Sequence, residues 1–474
     1  MGDGFQVVII GAGAGGLTAG LFLARAGLHV TICEQRSRVG GLLTATGTGP
    51  HLLDVRLPCL CSQGVVFPIL AELGLDPQRL FIRAHWQVVT PGIILPLNSF
   101  DIMYAKLQAY FPQQIQALSE YFLIMQEAIV WLKKILLPHP YLHSKSILQP
   151  ALAALLRPWS TFKMGKLLHI STQQFLLRQF TDPELVRLLM NLGYPNMPAL
   201  LHAGMWYLFL EDYWQPRGGL YGFTTLLAEH FEQAGGKLVT NAKVKTIMVE
   251  GGRASGIELA NGDKVLADAV ISGVDYNFTY TSLIPQSQVP AVFLQSLFKR
   301  QPSEAYVTVC LSTGIPMAVL NRLGAVHTCY FPEDDLPTGM IISAPDATKA
   351  SETVEQAPRV YLSHRGTYRG SPAEHRARLI RAATNLLPGL EQQILSEQVW
   401  YPKRYEWEFG GFGGASAGWN LDPLHMLRLG FPGWKSPIQN LYHASQWTYS
   451  PGGVPAAMLS ARQAGRHIMR TARL

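Results

Sequence analysis

An α/β fold is predicted by three features of this 474-residue chain. An apolar strand, Val7-Val8-Ile9-Ile10, runs into a glycine-rich turn and a helix of small residues. A second strand follows and ends on an acid. Two more blocks of strand, turn and helix recur over 217–280 and 430–474. Strand and helix patterns in alternation argue for a parallel sheet covered by helices. At about 150 residues per domain, the length suggests two or three domains.

In Gly11-Ala12-Gly13-Ala14-Gly15-Gly16 the GxGxxG spacing stands where a dinucleotide cradle requires it, between strand and helix. Gly11 permits the tight turn, Gly13 lets the backbone approach a pyrophosphate, and Gly16 lets the helix lie close on the sheet. The helix start adds free N–H groups and partial positive charge. The helix Leu17–Ala26 stops at Gly27, and the strand Leu28–Cys33 ends at Glu34. A carboxylate there suits a free ribose 2′-hydroxyl, so FAD or NAD(H) fits better than NADP(H). The continuation Gln35-Arg36-Ser37-Arg38-Val39-Gly40-Gly41-Leu42 supplies a second stretch lacking side chains, with Arg38 able to offset phosphate charge.

With that turn the sequence resembles the flavin amine oxidase and phytoene desaturase superfamily, in which an Arg-x-Gly-Gly turn after the ribose acid lines FAD. The resemblance selects FAD and marks Gly11, Gly13, Gly15, Gly16, Glu34, Gln35, Arg38, Gly40, Gly41 and Leu42 as cofactor contacts. Leu42 stands where the family often carries Arg.

Farther on, Pro216-Arg217-Gly218-Gly219 opens a helix reaching Gln233 and stopped by Gly235-Gly236. A strand and hairpin series follows over Lys237–Thr240, Val244–Val249 and Ala254–Leu259, then a buried strand, Ala267–Asp275. This run looks like the carotenoid desaturase and isomerase branch, and by that resemblance Val244 presents its backbone to the adenine. Near the C-terminus a short strand, Leu441-Tyr442-His443, leads through Ser450-Pro451-Gly452-Gly453-Val454-Pro455 into a small-residue helix. The family places this turn at the flavin's pyrimidine end and ribityl chain, which marks Gln446, Gly453 and Val454. The neutral Gln446 departs from the acid or glycine pair of many relatives. The glycine-dense stretch 409–419 resembles the loop that re-enters the flavin domain.

Between these blocks, Leu118, Tyr121, Phe122, Met125, Ala128, Ile129, Leu132 and Leu136 share one helical face. Trp206, Tyr207, Phe209, Tyr213 and Trp214 add an aromatic cluster, and Phe180-Thr181-Asp182-Pro183-Glu184-Leu185 resembles a carotenoid desaturase segment. These residues either build a core, or some of them line an apolar tunnel or touch a bilayer.

Hydrophobic residues make up 48% of the chain and charged residues 15%, which excludes disorder and permits a large apolar cavity or a membrane-contacting face. The net charge of +7 is dispersed, with no basic run, so nucleic acid is not an expected partner. Diffuse basicity beside apolar surface is compatible with an anionic membrane. The five cysteines form no CxxC pair, which fits a reducing compartment. His139 and His143 flank Pro140 and make no helical metal pair, so no metal site is expected. Met1–Ile10 shows no secretory pattern, and the uncharged-looking stretch Leu188–Leu210 carries Pro195, Pro198, Asn191, Asn196 and His202, unlike a membrane span. The expected location is cytoplasmic, with peripheral membrane contact as an option.

Together these readings predict an α/β protein in which a Rossmann-like FAD-binding domain (1–85, 217–280 and 430–474) is interleaved with a mixed α+β substrate domain (86–216 and 281–429) having an apolar helical portion. The resemblance implies a carotenoid-type oxidoreductase, a desaturase or cis–trans isomerase, acting on a long apolar small molecule. An amine oxidase, or a non-catalytic flavoprotein carrying apolar ligands, are the alternatives. No catalytic acid or base is assignable. His443, Asp54 and Arg56 lie in or near the cofactor blocks, and Arg56 falls where desaturase relatives tend to carry glycine.

Overall fold

The computed structural model describes residues 4–136, 158–332, 336, 339–344, 357–365, 370–422 and 432–472. His139 and His143 lie outside them. At the centre is a five-stranded parallel sheet in the order Lys237–Val239, His29–Cys33, Gln6–Ile10, Ala269–Ser272, Leu441–His443. Its central strand is apolar from Val7 to Ile10 because both faces are covered: Val7 and Ile9 pack with the helices Ala14–Arg25, Gly219–Gln233 and Val454–Thr471, and Val8 and Ile10 with the strands Val244–Glu250 and Arg253–Leu259 and the helix Tyr276–Ser282, leaving Val8 and Ile9 with no exposed surface. The helix Ala14–Arg25 packs between Gly219–Gln233 and the C-terminal helix Val454–Thr471. Small residues permit that approach: a side chain at Gly20 would meet Ile32 Cδ1 at 2.8 Å.

The hairpin series differs from the sequence-based expectation in one respect. Lys237–Val239 joins the parallel sheet beside His29–Cys33, and only Val244–Glu250, Arg253–Leu259 and Lys264–Leu266 form an antiparallel unit. Asn241, at φ 55°, turns the chain between them. Backbone bonds from Glu34 to Val239, and from Asn241 and Ala242 to Arg36 and Glu34, hold the edge in place.

A second sheet of seven strands runs Ile394–Trp400, Tyr306–Thr313, Arg359–Arg365, Met340–Ser343, His327–Tyr330, Trp86–Val89, Ile94–Pro96, antiparallel but for the parallel pair His327–Tyr330 and Trp86–Val89. A small sheet joins the two regions, in which Tyr213–Pro216 pairs with both Leu60–Cys61 and Phe81–Arg83. Helices between Phe100 and Tyr207 stand beside the larger sheet. Pro195 and Pro198 fall between the helices Pro183–Met190 and Ala199–Tyr207, and among the described residues no helix is long and apolar enough to cross a membrane.

In the helix Ile115–Trp131 the apolar face is core: Leu118, Tyr121, Met125 and Ala128 have no exposed surface, and Phe122 and Ile129 are buried with them. Phe180 and Trp206 pack into the same cluster, while Asp182 caps Pro183–Met190 by accepting from the Glu184 and Leu185 N–H groups. At its centre the Trp206 indole donates to the Tyr121 hydroxyl, which sits 2.8 Å from His202 Nε2. Burial pushes His202 down to about 3, so the ring is neutral. Replacing Tyr121 by Phe leaves two buried polar groups without a partner, at about 1–3 kcal/mol each. Tyr121→Phe is therefore expected to lower the denaturant midpoint of the apoprotein while leaving the spectrum of the bound cofactor in the holoprotein unaltered.

Candidate active site

A cavity of about 560 Å³ runs along the carboxyl ends of the parallel strands, the place where open α/β sheets bind ligands. Gly11, Gly13, Gly15, Glu34, Gln35, Gly40, Gly41, Leu42, Val244, Gln446, Gly453 and Val454 line it. Gly16 and Arg38 do not. Gly16 sits beneath the turn, where a side chain would fall 2.0 Å from the Gly11 carbonyl oxygen. Arg38 turns away and donates to the Ala45 and Gly47 carbonyls at 3.2 and 2.9 Å. Arg36, by contrast, reaches the cavity, paired with Glu408 and laid over the Phe409 ring at 4.9 Å.

The glycines of the first turn have separate jobs. A side chain at Gly13 would meet no protein atom within 4 Å and would project into free space, whereas one at Gly15 would stand 1.8 Å from the Ala444 carbonyl oxygen. Gly13 thus keeps a ligand's space clear, and Gly15 lets the C-terminal strand approach. The second glycine turn packs on the first: Gly40 N–H donates to Ala12 at 2.7 Å. Gly40 adopts φ 112°, a conformation open to glycine. Glu34 accepts from the Ala12 and Arg36 N–H groups at 2.9 Å each, which orients the carboxylate. Its burial raises its pKa against the pull of those donors.

At the other end the helix Val454–Thr471 begins at the wall, with Gly453, Val454 and Ala457 exposed to the cavity. Its first N–H groups and the positive end of its dipole favour negative charge there. A third wall comes from residues not singled out in the sequence: Asp275, Phe278, Trp407, Phe409 and Phe412. Asp275 caps the helix Tyr276–Ser282, accepting from Phe278 N–H at 3.0 Å, and burial pushes it up to about 7. An acid placed directly after a buried strand was the available signal for it. Trp407 is 84% exposed and sits at the rim.

His443 and Asp54 take structural parts. His443 is fully buried, stacks on Tyr276 at 3.9 Å, lies 2.8 Å from the Tyr280 hydroxyl and is pushed down to about 3 by burial. Asp54 accepts from the Leu220 and Tyr221 N–H groups, closing the start of Gly219–Gln233. Neither lines a cavity. Arg56 does: its Nη2 donates to the Ser416 carbonyl at 3.0 Å, and it borders both the first cavity and a second one.

That second chamber, about 310 Å³, shares Leu42, Leu43, Arg56, Gly453 and Val454 with the first. An aromatic wall formed by Trp86, Phe209 and Tyr213 borders it, with Trp86 5.2 and 4.9 Å from the other two rings. Of the aromatic residues noted in the sequence, Phe209 and Tyr213 line it, while Trp206, Tyr207, Trp214 and the Ile115–Trp131 helix stand behind. Among the described lining residues there is no carboxylate and no imidazole, and the cations are Arg56 and Arg365.

Residues 14–469 match the family described as flavin containing amine oxidoreductase. The chain is 23% identical to the 4,4'-diapolycopene oxygenase of a Methylomonas species, over 97% of each protein. It is 22% identical to the lycopene-forming phytoene desaturase of Pantoea ananas, over 96% of this chain and 97% of that protein. The solved structure of wild-type putrescine oxidase bound to putrescine shares the fold, with a TM-score of 0.68 at 18% identity, covering 98% of this chain and 99% of that one. The residues present fit FAD: a cradle that a side chain at Gly13 would fill, a buried acid for a ribose, and two helix starts opening on one cavity.

Two expectations follow from this geometry. Gly13→Val is expected to leave the thermal unfolding of the apoprotein near that of the parent while abolishing flavin retention on gel filtration, whereas Gly15→Val, colliding with Ala444, should lower apoprotein stability itself. Because the folded state raises Asp275 from 3.8 to about 7, it favours folding at low pH, loses that contribution as pH rises between those two values, and is level above them. Melting curves of the apoprotein should therefore show Asp275→Asn gaining on the parent from about pH 4 to about pH 7 and gaining little more above it.

Proposed function

Because the chain belongs to the flavin-containing amine oxidoreductase family and takes FAD as its cofactor, we propose that it is a carotenoid-type oxidoreductase acting on a long apolar polyene or isoprenoid, by desaturation or cis–trans isomerisation. The observation that carries this reading is the second chamber, walled by aromatic and aliphatic side chains and adjoining the cofactor cavity through shared lining residues. The similarity to a diapolycopene oxygenase and a phytoene desaturase supports it. An amine substrate finds poor complement there, since its ammonium would face two guanidinium groups with no lining carboxylate among the described residues.

FAD, when bound, supplies a two-electron acceptor. The chain's own part is placement. Gly13 and the start of Val454–Thr471 hold the cofactor, Leu42 and Leu43 separate the chambers with apolar surface, and the Trp86, Phe209 and Tyr213 rings hold an extended chain against the junction. The proton that a desaturation removes would pass to water, as no described carboxylate or imidazole borders the chamber. An isomerisation would release no proton and need no such acceptor in the chamber.

Peripheral membrane contact belongs to the same proposal, as apolar substrates of this length reside in bilayers. Leu123, Val130 and Phe162 are 57%, 47% and 60% exposed on neighbouring helices that also carry Lys163 and Lys166.

The test uses anaerobic holoprotein mixed with a long-chain polyene or with alkyl amines. Bleaching of the oxidised flavin band by the polyene, or conversion between its geometric isomers on prereduced holoprotein, is the expected result, with amines inert. Bleaching by amines alone would favour the amine oxidase reading, and no response to any lipid would favour a non-catalytic carrier.

A further inference from the structure

We propose that Arg56 is a specificity-determining residue that anchors a carboxylate at one end of the apolar substrate, at the junction of the two chambers. This inference rests on the second chamber being the substrate site. Both arginines of that chamber were compared. Arg365 is already balanced: its Nε lies 3.1 Å from Glu304 Oε2, a terminal nitrogen donates to the Gly193 carbonyl, and the guanidinium covers the Tyr194 ring at 4.7 Å. Among the described residues Arg56 is hydrogen-bonded only at Nη2, by the Ser416 carbonyl. Among the described residues no carboxylate oxygen comes within 4.0 Å of its guanidinium. The acids nearest in the chain and in the cofactor cavity are committed elsewhere: Asp54 to the Leu220 and Tyr221 N–H groups, Glu34 to Ala12 and Arg36, Asp275 to Phe278, and Glu406 to Gly413 N–H.

A half-buried guanidinium with donors unused, bordering apolar walls, is complementary to an anion attached to an apolar chain. The two oxygens of a carboxylate match the fork of an arginine, and such charge-assisted pairs are shorter and stronger than neutral ones. A pure hydrocarbon gives an arginine nothing to bind. A cation at this junction therefore shifts preference from hydrocarbons toward chains that end in an acid. Placing that end beside Leu42 and Gly453 also sets which carbon atoms of the chain lie at the cofactor.

Retinoic acid and its methyl ester, matched in length and unsaturation, test the anchor by titration into holoprotein with the flavin absorbance as readout. The acid is expected to bind at least about tenfold tighter than the ester to the parent, the scale of one charge-assisted bond. Arg56→Gln should abolish that preference, chiefly by weakening the acid, and Arg56→Lys should retain part of it. Equal affinity for acid and ester in the parent, or a preference that survives Arg56→Gln, overturns the anchor alone. Binding of neither probe overturns both the anchor and the apolar-chamber reading beneath it. Loss of flavin from both variants would make Arg56 a cofactor contact and equally overturn the proposal.

Discussion

The structure depends on a backbone-to-backbone approach that no side chain would allow. The Ala444 carbonyl stands where a Cβ of Gly15 would be, and the Gly11 carbonyl stands where one of Gly16 would be. These contacts bring the last strand and helix of the chain against the first turn. The amino- and carboxyl-terminal segments consequently share one cavity, with a glycine turn at one end and a helix start at the other. Both ends present backbone N–H groups with positive electrostatic character, and the family's dinucleotide cofactor carries its negative charge at its middle.

From that clamp the second chamber follows. Leu42 and Leu43, held by the glycine turn that packs on Gly13, and Gly453 and Val454, held by the C-terminal helix, belong to both cavities. A shift of either element would move the wall between the two cavities. The chamber's electrostatics are as telling as its shape, since aromatic rings and two guanidinium groups border it without a lining acid among the described residues. The fold is shared with an amine oxidase.

Burial sorts the ionisable candidates. His443 looked suggestive beside the C-terminal turn, yet complete burial against Tyr276 and Tyr280 keeps it neutral and out of either cavity. Asp54 sits near a glycine turn and serves as a helix cap. Asp275, which drew no notice as a site residue, faces the cofactor cavity with a carboxyl group pushed toward neutrality. A sequence shows that an acid or imidazole is present; the dielectric around it and the donors aimed at it come from segments far away in the chain.

The sequence by itself determined the strand–turn–helix order, the glycine spacing, Glu34 at the end of the second strand and the C-terminal helix start, because these are local requirements of backbone geometry. It also marked the amphipathic face of Ile115–Trp131, since period alone reveals which side is buried. Only the tertiary structure decided what that face is buried against, so that Tyr121 belongs to a core while Phe209 and Tyr213 border a chamber. It likewise turned Arg38 toward Ala45 and Gly47 and left Arg36 and Arg56 at the cavities. The direction of a side chain is set by whichever distant element fills the space beside it, and one-dimensional spacing carries no record of that neighbour.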